Sequence, residues 1–326
     1  MTIESTGQQP KLASLQYLRA FAALGVVAFH AANAAGYAFP DGAYGVDIFF
    51  VISGFVMVWI SSAATRPHDF LSGRIRRIVP LYWVVTFAWI AAISLSLGDF
   101  PFGPGGLASS FLFIPYGAAG EGRHYFPIVQ VGWTLNYEMM FYAVFAATLL
   151  LRRSFQLLAL SAVFIALVTA GLVLKPLSAP WEFWTNPILL HFLAGAWLAA
   201  SFRPEQAGVQ RWLACCVLIA LFLLEPPLRT ALLLVAAALV ADFASRMPKF
   251  APLLRTGDAS YALYLWHPLA IAGLMALIAD SAAPPWLIFV ACIAVSLIAG
   301  FIGHRLVEQP LLRLWKSRRP KALEPQ

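Results

Sequence analysis

Ten apolar stretches run through this sequence, and most of them are long enough to cross a lipid bilayer. A transmembrane helix needs about 20 predominantly apolar residues. Hydrophobic residues make up 61% of the chain and charged residues only 11%, whereas a soluble domain carries about 25% charged residues. We therefore predict an all-α polytopic membrane protein with about ten transmembrane helices, at about 15–35, 46–62, 79–97, 131–151, 154–174, 185–202, 211–224, 228–244, 258–279 and 285–307.

The connections between these stretches are short, so we expect residues 1–326 to form a single transmembrane domain. The polar residues 1–11 are expected to be a flexible N-terminus, and residues 312–326 a basic cytoplasmic tail. The longest connection, 98–130, contains a short apolar piece at 107–114. That piece is predicted to be re-entrant or to lie at the membrane interface.

The lysine and arginine residues sort to one side of the predicted spans. If the N-terminus is cytoplasmic, all but three of the 22 basic residues face the cytoplasm; the exceptions are Arg123, Lys175 and Arg229. Cytoplasmic connections carry such an excess of positive charge, so both termini are predicted to be cytoplasmic. The densest basic connection, 66–78, is predicted to be a loop. Because topology accounts for the net charge of +7, we expect no nucleic acid partner.

The first apolar stretch carries two ionisable residues, Arg19 and His30. Eleven residues at 3.6 per turn make almost a whole number of turns, so both side chains lie on one helix face. A rise of 1.5 Å per residue separates them by about 16 Å, roughly half the hydrocarbon thickness. An ionisable side chain inside a membrane is costly unless it is paired or hydrated. We therefore predict a polar, hydrated path along this face.

Six pieces of the sequence follow one another in a recognisable order. They are Arg19 with His30, GVDIFFVISGF at 45–55, FLSGRIRRIVPLYW at 70–83, GWTLNYEMMFY at 132–142, SYALYLWHP at 260–268 and VEQP at 307–310. Together they resemble the signature of the membrane-bound acyltransferase-3 family, and the chain is most similar in length to the exopolysaccharide O-acetyltransferase branch. One departure is His191, which stands before Phe192 where an acidic residue is expected.

The resemblance implies an O-acyltransferase of the bacterial inner membrane. Such a protein moves an acyl group, usually acetyl, from cytoplasmic acyl-CoA to a hydroxyl of an exopolysaccharide or another envelope glycan. The implied donor is acyl-CoA, with acetyl-CoA expected, and the implied acceptor is a glycan or lipid-linked oligosaccharide. The sequence has no histidine and carboxylate spacing typical of a metal site, so no metal is expected.

Three arginines are the candidates for donor binding. Planar guanidinium groups bind phosphates in a bidentate manner, so Arg74 and Arg77 are predicted to contact the phosphates of coenzyme A, and Arg76 less so. Arg19 is predicted to bind a donor anion or to keep the pantetheine path polar. Two simpler explanations stay open: membrane topology alone demands basic residues at 74–77, and Arg19 can extend its guanidinium to the interface.

His30 is the first candidate for catalysis, because an imidazole titrates near neutrality and can take the proton of an attacking hydroxyl. It would act as a general base in direct transfer or as a covalent acyl carrier. Asp47 and Glu138 lie at a similar predicted depth. Either carboxylate would orient the imidazole or bind sugar hydroxyls, and Asp47 would alternatively cap the second span.

Two polar stripes are candidates for the walls of a cavity. One is Thr134, Glu138 and Tyr142, and the other is Ser260, Tyr264 and His267; each set shares one helix face. Residues expected to contact substrate are Trp133, Asn136, Tyr264 and His267. Aromatic belts at the membrane interface are the alternative for the tryptophan, and local hydrogen bonding is the alternative for the histidine. Ser53 and Gly54 are predicted to allow close helix contact.

A transporter or flippase for polysaccharide or lipid-linked sugar is the main alternative function. It would explain intramembrane charges equally well, with the polar stripe as a substrate path. Transporter folds often contain internal repeats with interrupted helices, and no such repeat is evident in this sequence. A non-catalytic scaffold in an export complex is a third interpretation.

Overall fold

The computed structural model describes residues 13–98, 102–116, 126–175, 180–201 and 250–316, and every regular element within these ranges is helical. The α-helices are α1 (Ala13–Ala34), α2 (Gly45–Ile60), α3 (Pro67–Leu97), α4 (Pro104–Leu112), α5 (Trp133–Thr148), α6 (Arg153–Leu174), α7 (Trp181–Trp184), α8 (Leu189–Ser201), α9 (Ala251–Asp258), α10 (Ser260–Leu277), α11 (Pro285–Gly303) and α12 (Gln309–Lys316). Short 3₁₀ turns precede α2 and α5, and a π-helical turn, His304–Glu308, joins α11 to α12.

Six stretches of the described residues are long and apolar enough to cross a membrane. They are Ala13–Ala34, Pro40–Ile60, Pro67–Ser96, Arg153–Leu174, Ser260–Leu277 and Pro285–Leu314. Helices α5 and α8 form where spans were predicted, with 16 and 13 residues. The predicted spans at 211–224 and 228–244 lie outside the described residues. The all-helical, multi-pass class is confirmed, whereas the number ten and the orientation of the termini stay predictions.

The predicted loop at 66–78 is wrong, because α3 begins at Pro67 and continues without a break to Leu97. A proline in the first turn of a helix loses no hydrogen bond. Pro80 lies inside the helix, where the Tyr261 hydroxyl donates a hydrogen bond of 2.8 Å to the nearby carbonyl of Ile78. The Tyr261 hydroxyl therefore joins α10 to this part of α3, whereas the carbonyl that loses its helical hydrogen bond at Pro80 is that of Arg76, four residues back.

Helices α2 and α8 pack with their main chains in close contact. A Cβ atom added to Gly54 would overlap the main-chain oxygen of Phe192, and one added to Gly195 would overlap that of Val51. The predicted role of Gly54 is therefore confirmed, and Gly195 is its counterpart on the facing helix. Small residues let membrane helices approach in this way, and the contact fixes which face of α2 points away from α8.

Helix α1 lies against α2, α9, α10 and α11. Close main-chain approaches set this arrangement: a Cβ added to Gly257 would overlap the main chain of Gln16, and one added to Gly45 would overlap the main-chain oxygen of Ala22. The polar face of α1, with Arg19 and His30, is thereby brought beside the polar stripe of α10.

Candidate functional site

A cavity of about 610 Å³ lies between the helices that carry the predicted polar stripes. Residues of α1, α2, α3, α5, α9, α10, α12 and the π-turn line it. The basic end contains Arg19, Arg74 and Arg77, and the opposite end contains Thr134 and Tyr264. The structure therefore brings three predicted donor-binding residues and one predicted substrate-binding residue to a common space.

The arginine side chains at the basic end differ in their hydrogen bonding. Arg19 donates from Nε to the Ser260 hydroxyl at 3.1 Å, which holds it against α10. In the part of the chain that the structure describes, no hydrogen bond or ion pair engages the guanidinium groups of Arg74 and Arg77. Five N–H donors on each of these two groups are therefore available for an anion inside the cavity.

Glu138 lies in the same cavity, where two hydroxyl groups hold its carboxylate. Ser53 donates to Glu138 Oε1 at 3.2 Å, and Tyr142 donates to the same oxygen. The hydrogen bond with Tyr142 joins i and i+4 positions of α5, whereas Ser53 comes from α2. This arrangement fixes the carboxylate in the cavity wall, where it can accept further hydrogen bonds.

Replacing Tyr142 with phenylalanine is expected to destabilise the protein by about 1.5–3 kcal/mol, because a hydrogen bond to a charged group would be lost inside the bundle. The measurement is the apparent melting temperature of the detergent-solubilised protein. Tyr37→Phe is the matched control, since that ring is 46% exposed. Equal melting temperatures for the two variants would contradict the assignment.

Sequence reasoning missed two acidic residues of the cavity, Asp258 and Glu308. Glu308 is 2% exposed and accepts a hydrogen bond of 2.7 Å at its Oε2 atom from Nδ1 of His304. Gln309 lies 3.1 Å from the other ring nitrogen of His304. The VEQP motif includes Glu308. The π-turn that directs this side chain into the cavity cannot be predicted from the spacing of apolar residues in the sequence. Among the described residues, no group of three histidine, cysteine or carboxylate side chains is arranged to hold a metal ion.

The end of the cavity opposite the arginines leads to a pair of histidines. The hydroxyls of Tyr264 and Thr134 are 2.9 Å apart, and both groups lie close to the Val131 carbonyl. The Tyr264 ring centroid is 6.1 Å from that of His267, which is 5.0 Å from that of His30. His30 is half-buried and lies just beyond the residues that line the cavity. The structure thus places His30 beside His267.

The predicted carboxylate partners of His30 make other contacts. Asp47 is buried on α2, with its Oδ1 atom 3.9 Å from Nδ1 of His191, and Glu138 is held by Ser53 and Tyr142 as described above. His191, the departure noted in the sequence, is completely buried and close to the Ile188 carbonyl. Asp47 and His191 are therefore neighbours across the contact between α2 and α8.

The other two predicted substrate-binding residues do not line the cavity. Trp133 makes an edge-to-face contact with Tyr137 at 5.8 Å, and Tyr137 stacks on Phe183 at 3.7 Å. Asn136 is 2% exposed, and its side-chain oxygen has no hydrogen-bond partner among the described residues. Both residues lie on α5 away from the Thr134, Glu138 and Tyr142 stripe.

Comparisons with known proteins bear on this site. Residues 12–305 match the acyltransferase domain family Acyl_transf_3. The exopolysaccharide production protein ExoZ of Rhizobium meliloti (strain 1021) is 37% identical, over 90% of this chain and 97% of its own length. The acyltransferase MdmB of Streptomyces mycarofaciens is 28% identical, over 97% of this chain and 95% of its own length. No solved structure matches the chain. The resemblance inferred from the six sequence pieces is confirmed: the chain belongs to the acyltransferase domain family and is a membrane acyltransferase.

Proposed function

We propose that this protein transfers an acetyl group from cytoplasmic acetyl-CoA to a hydroxyl of an exopolysaccharide or its lipid-linked precursor. The observation that carries this proposal is the cavity of about 610 Å³, which approaches a histidine pair at one end. At the other end are two arginines whose guanidinium groups make no hydrogen bond or ion pair with the described residues. Such a cavity suits a long donor with an anionic head and a reactive thioester at its far end.

The donor enters from the cytoplasm at the basic end of the cavity. Lysine and arginine placement supports cytoplasmic termini, which puts Arg74 and Arg77 on the side where acyl-CoA is made. Their guanidinium groups bind the phosphates of coenzyme A. Arg19, held by Ser260 about one helical turn before Tyr264, lines the route of the pantetheine arm.

The acceptor hydroxyl enters from the opposite side of the membrane and meets the thioester near His30. His30 takes the hydroxyl proton as the oxygen bonds to the thioester carbonyl carbon. The carbon–sulfur bond then breaks, and the departing thiolate receives that proton from His30, which gives an ester and free coenzyme A thiol. A covalent acyl-histidine would divide the same exchange into two steps, and the geometry is compatible with both routes.

Two further observations support the substrate classes. The relative ExoZ is named for exopolysaccharide production, and the relative MdmB is named as an acyltransferase. Glu138 faces the cavity with its carboxylate already oriented by Ser53 and Tyr142, so it would accept a hydrogen bond from a donor amide or an acceptor hydroxyl. A multi-pass protein of this kind would act in the bacterial inner membrane, where both substrates meet.

Neutralising Arg74 and Arg77 together, as R74Q/R77Q, is expected to raise the KM for acetyl-CoA by about 100-fold. A hydrogen bond between charged groups contributes about 1.5–3 kcal/mol, and 1.4 kcal/mol is tenfold in affinity. The measurement is transfer of [¹⁴C]acetyl from acetyl-CoA into glycan by membrane vesicles of cells that produce the protein. Calorimetric titration of the purified protein with acetyl-CoA gives the affinity independently.

The matched control is Arg76→Gln. Arg76 lies on the same helix and carries the same charge, but it is not among the residues that line the cavity. We expect Arg76→Gln to keep the wild-type KM. If R74Q/R77Q and Arg76→Gln bind acetyl-CoA alike, the basic residues serve topology alone and the proposed donor site is wrong.

A further inference from the structure

His267 occupies a defined position on α10, one helical turn beyond the end of the cavity. Its side chain is completely buried, and Pro268 follows it within the helix. The Nδ1 atom lies 3.1 Å from the carbonyl oxygen of Leu263, one turn back along the same helix. The imidazole ring is therefore held by its own helix.

This hydrogen bond determines the tautomer of His267. A carbonyl oxygen only accepts hydrogen bonds, so Nδ1 must carry the hydrogen. In the neutral ring, Nε2 then carries a lone pair. The Nε2 atom is buried and has no hydrogen-bond partner within the described residues. A buried acceptor without a hydrogen bond is energetically costly, so we expect this nitrogen to gain a partner at some stage of the reaction.

The neighbour best placed to be that partner is His30. The two ring centroids are 5.0 Å apart and the planes are inclined by 48°. The Tyr264 hydroxyl is already engaged with Thr134 and the Val131 carbonyl, so it does not compete. The half-buried ring of His30 can rotate about χ2, which has a broad range of allowed values. The ring of His267 is held by its hydrogen bond to the Leu263 carbonyl. Hydrogen bonds of catalytic groups commonly align only when substrate binds.

We propose that His267 is a positioning residue for His30, and this inference rests on the proposed function. Its Nε2 atom accepts a hydrogen bond from one ring nitrogen of His30. That contact leaves the lone pair on the other nitrogen of His30, directed at the acceptor hydroxyl. A histidine thereby takes the orienting role that the sequence suggested for Asp47 or Glu138, both of which are held elsewhere by other side chains.

Replacing His267 with glutamine or asparagine distinguishes a role in orienting His30 from a role in stabilising α10 alone. His267→Gln puts an amide near the position of Nε2 and keeps an acceptor there, whereas His267→Asn keeps a donor near Nδ1 for the Leu263 carbonyl. If His267 only stabilises its own helix, asparagine is the better replacement, because the observed hydrogen bond uses Nδ1. If His267 orients His30, glutamine is the better replacement.

The expected result is that His267→Gln keeps kcat within about 10-fold of wild type, whereas His267→Asn loses about 100-fold, the lower end of what a positioned base contributes. The KM for acetyl-CoA should not change in either variant, since the arginines lie at the other end of the cavity. The assay is [¹⁴C]acetyl transfer by membrane vesicles. Equal activities, or a more active asparagine variant, would overturn the proposal.

A second measurement uses the wild-type chain, in case either variant fails to fold. Solid-state NMR of protein labelled with ¹⁵N-histidine should correlate a protonated ring nitrogen of His30 with Nε2 of His267 once acetyl-CoA is added. The absence of this correlation would also overturn the proposal.

The variant His30→Ala distinguishes a failure of the proposed function from a failure of the positioning role. If that variant keeps wild-type transfer, the proposed function fails. If it is inactive while both His267 variants are fully active, only the positioning role fails.

Discussion

Replacing His30 with alanine is expected to lower acetyl transfer by at least about 100-fold and to leave the fold intact. A positioned general base contributes about 10²–10⁴-fold to a rate, and a covalent carrier would contribute no less. The half-buried ring contacts Phe29 and His267 at centroid distances of 5.0 Å, so removing it takes little packing from the bundle. Vesicle assays with [¹⁴C]acetyl-CoA measure the rate.

The same assay on His68→Ala gives the matched control. The His68 side chain is 89% exposed, so this variant removes an imidazole from the same protein without touching the cavity. We expect wild-type activity from His68→Ala and wild-type donor affinity from His30→Ala. Transfer at the wild-type rate by His30→Ala would mean that another group takes the hydroxyl proton.

Composition and hydropathy predicted the fold class because a bilayer admits few structures. Backbone polar groups in lipid must be satisfied within a helix or a closed barrel, so long apolar stretches in a chain with 11% charged residues indicate helices. Hydropathy did not predict the lengths of α5 and α8, whose 16 and 13 residues are short for a span. The length of each helix also depends on how it packs against neighbouring helices, and hydropathy carries no information about that packing.

The loop predicted at 66–78 shows a limit of charge patterns. Arginine placement indicates which side of the membrane a segment faces, but it does not determine the backbone conformation there. Arginine is a good helix former, and the segment from Pro67 onward continues directly into the span as α3. The helix thus carries Arg74 and Arg77 on a rigid element that faces the cavity, which is a better support for a binding site than a loop.

Helical spacing predicted which side chains share a face but not which faces meet. Arg19 and Ser260 are 241 residues apart in the sequence, yet they form a hydrogen bond. His30 and His267 are also far apart in the sequence and belong to different polar stripes, yet their ring centroids lie 5.0 Å apart. The sequence suggests a carboxylate as the partner of His30, because a carboxylate commonly orients a histidine that acts as a base. Helix packing decides the pairing instead, through close approaches such as that of Gly257, just before α10, to Gln16 of α1.

Gly195→Ala is expected to destabilise the protein by about 3 kcal/mol or more and to reduce the yield of folded protein in membranes. Overpacking a close-packed contact costs about 1–3 kcal/mol when side chains can adjust. Here the added Cβ meets the main-chain oxygen of Val51, which no rotamer change can move. Helices α2 and α8 would have to separate along their length. Yield and the apparent melting temperature in detergent measure the effect.

Gly273→Ala is the control with the opposite expectation. Gly273 is exposed on α10, and an added Cβ would meet no atom within 4 Å. Alanine is favoured over glycine in a helix by about 1 kcal/mol, so this variant should match or exceed the wild-type melting temperature. A loss of stability at Gly273 equal to that at Gly195 would show that the bundle tolerates no change in its glycines, and close contact would not be the cause.

The pair Gly54 and Gly195 provides a sharper test, since both residues serve one contact between α2 and α8. Once one alanine has pushed the helices apart, the second meets less resistance. The double variant should therefore lose less stability than the sum of the two single variants, by the 0.5–3 kcal/mol or so that is typical of coupled neighbours. Ser53, next to Gly54, would move with α2 and release its hydrogen bond to Glu138, so transfer activity should fall even in the fraction that folds. Additive losses with full activity in the folded fraction would show that the α2–α8 contact does not position the cavity wall.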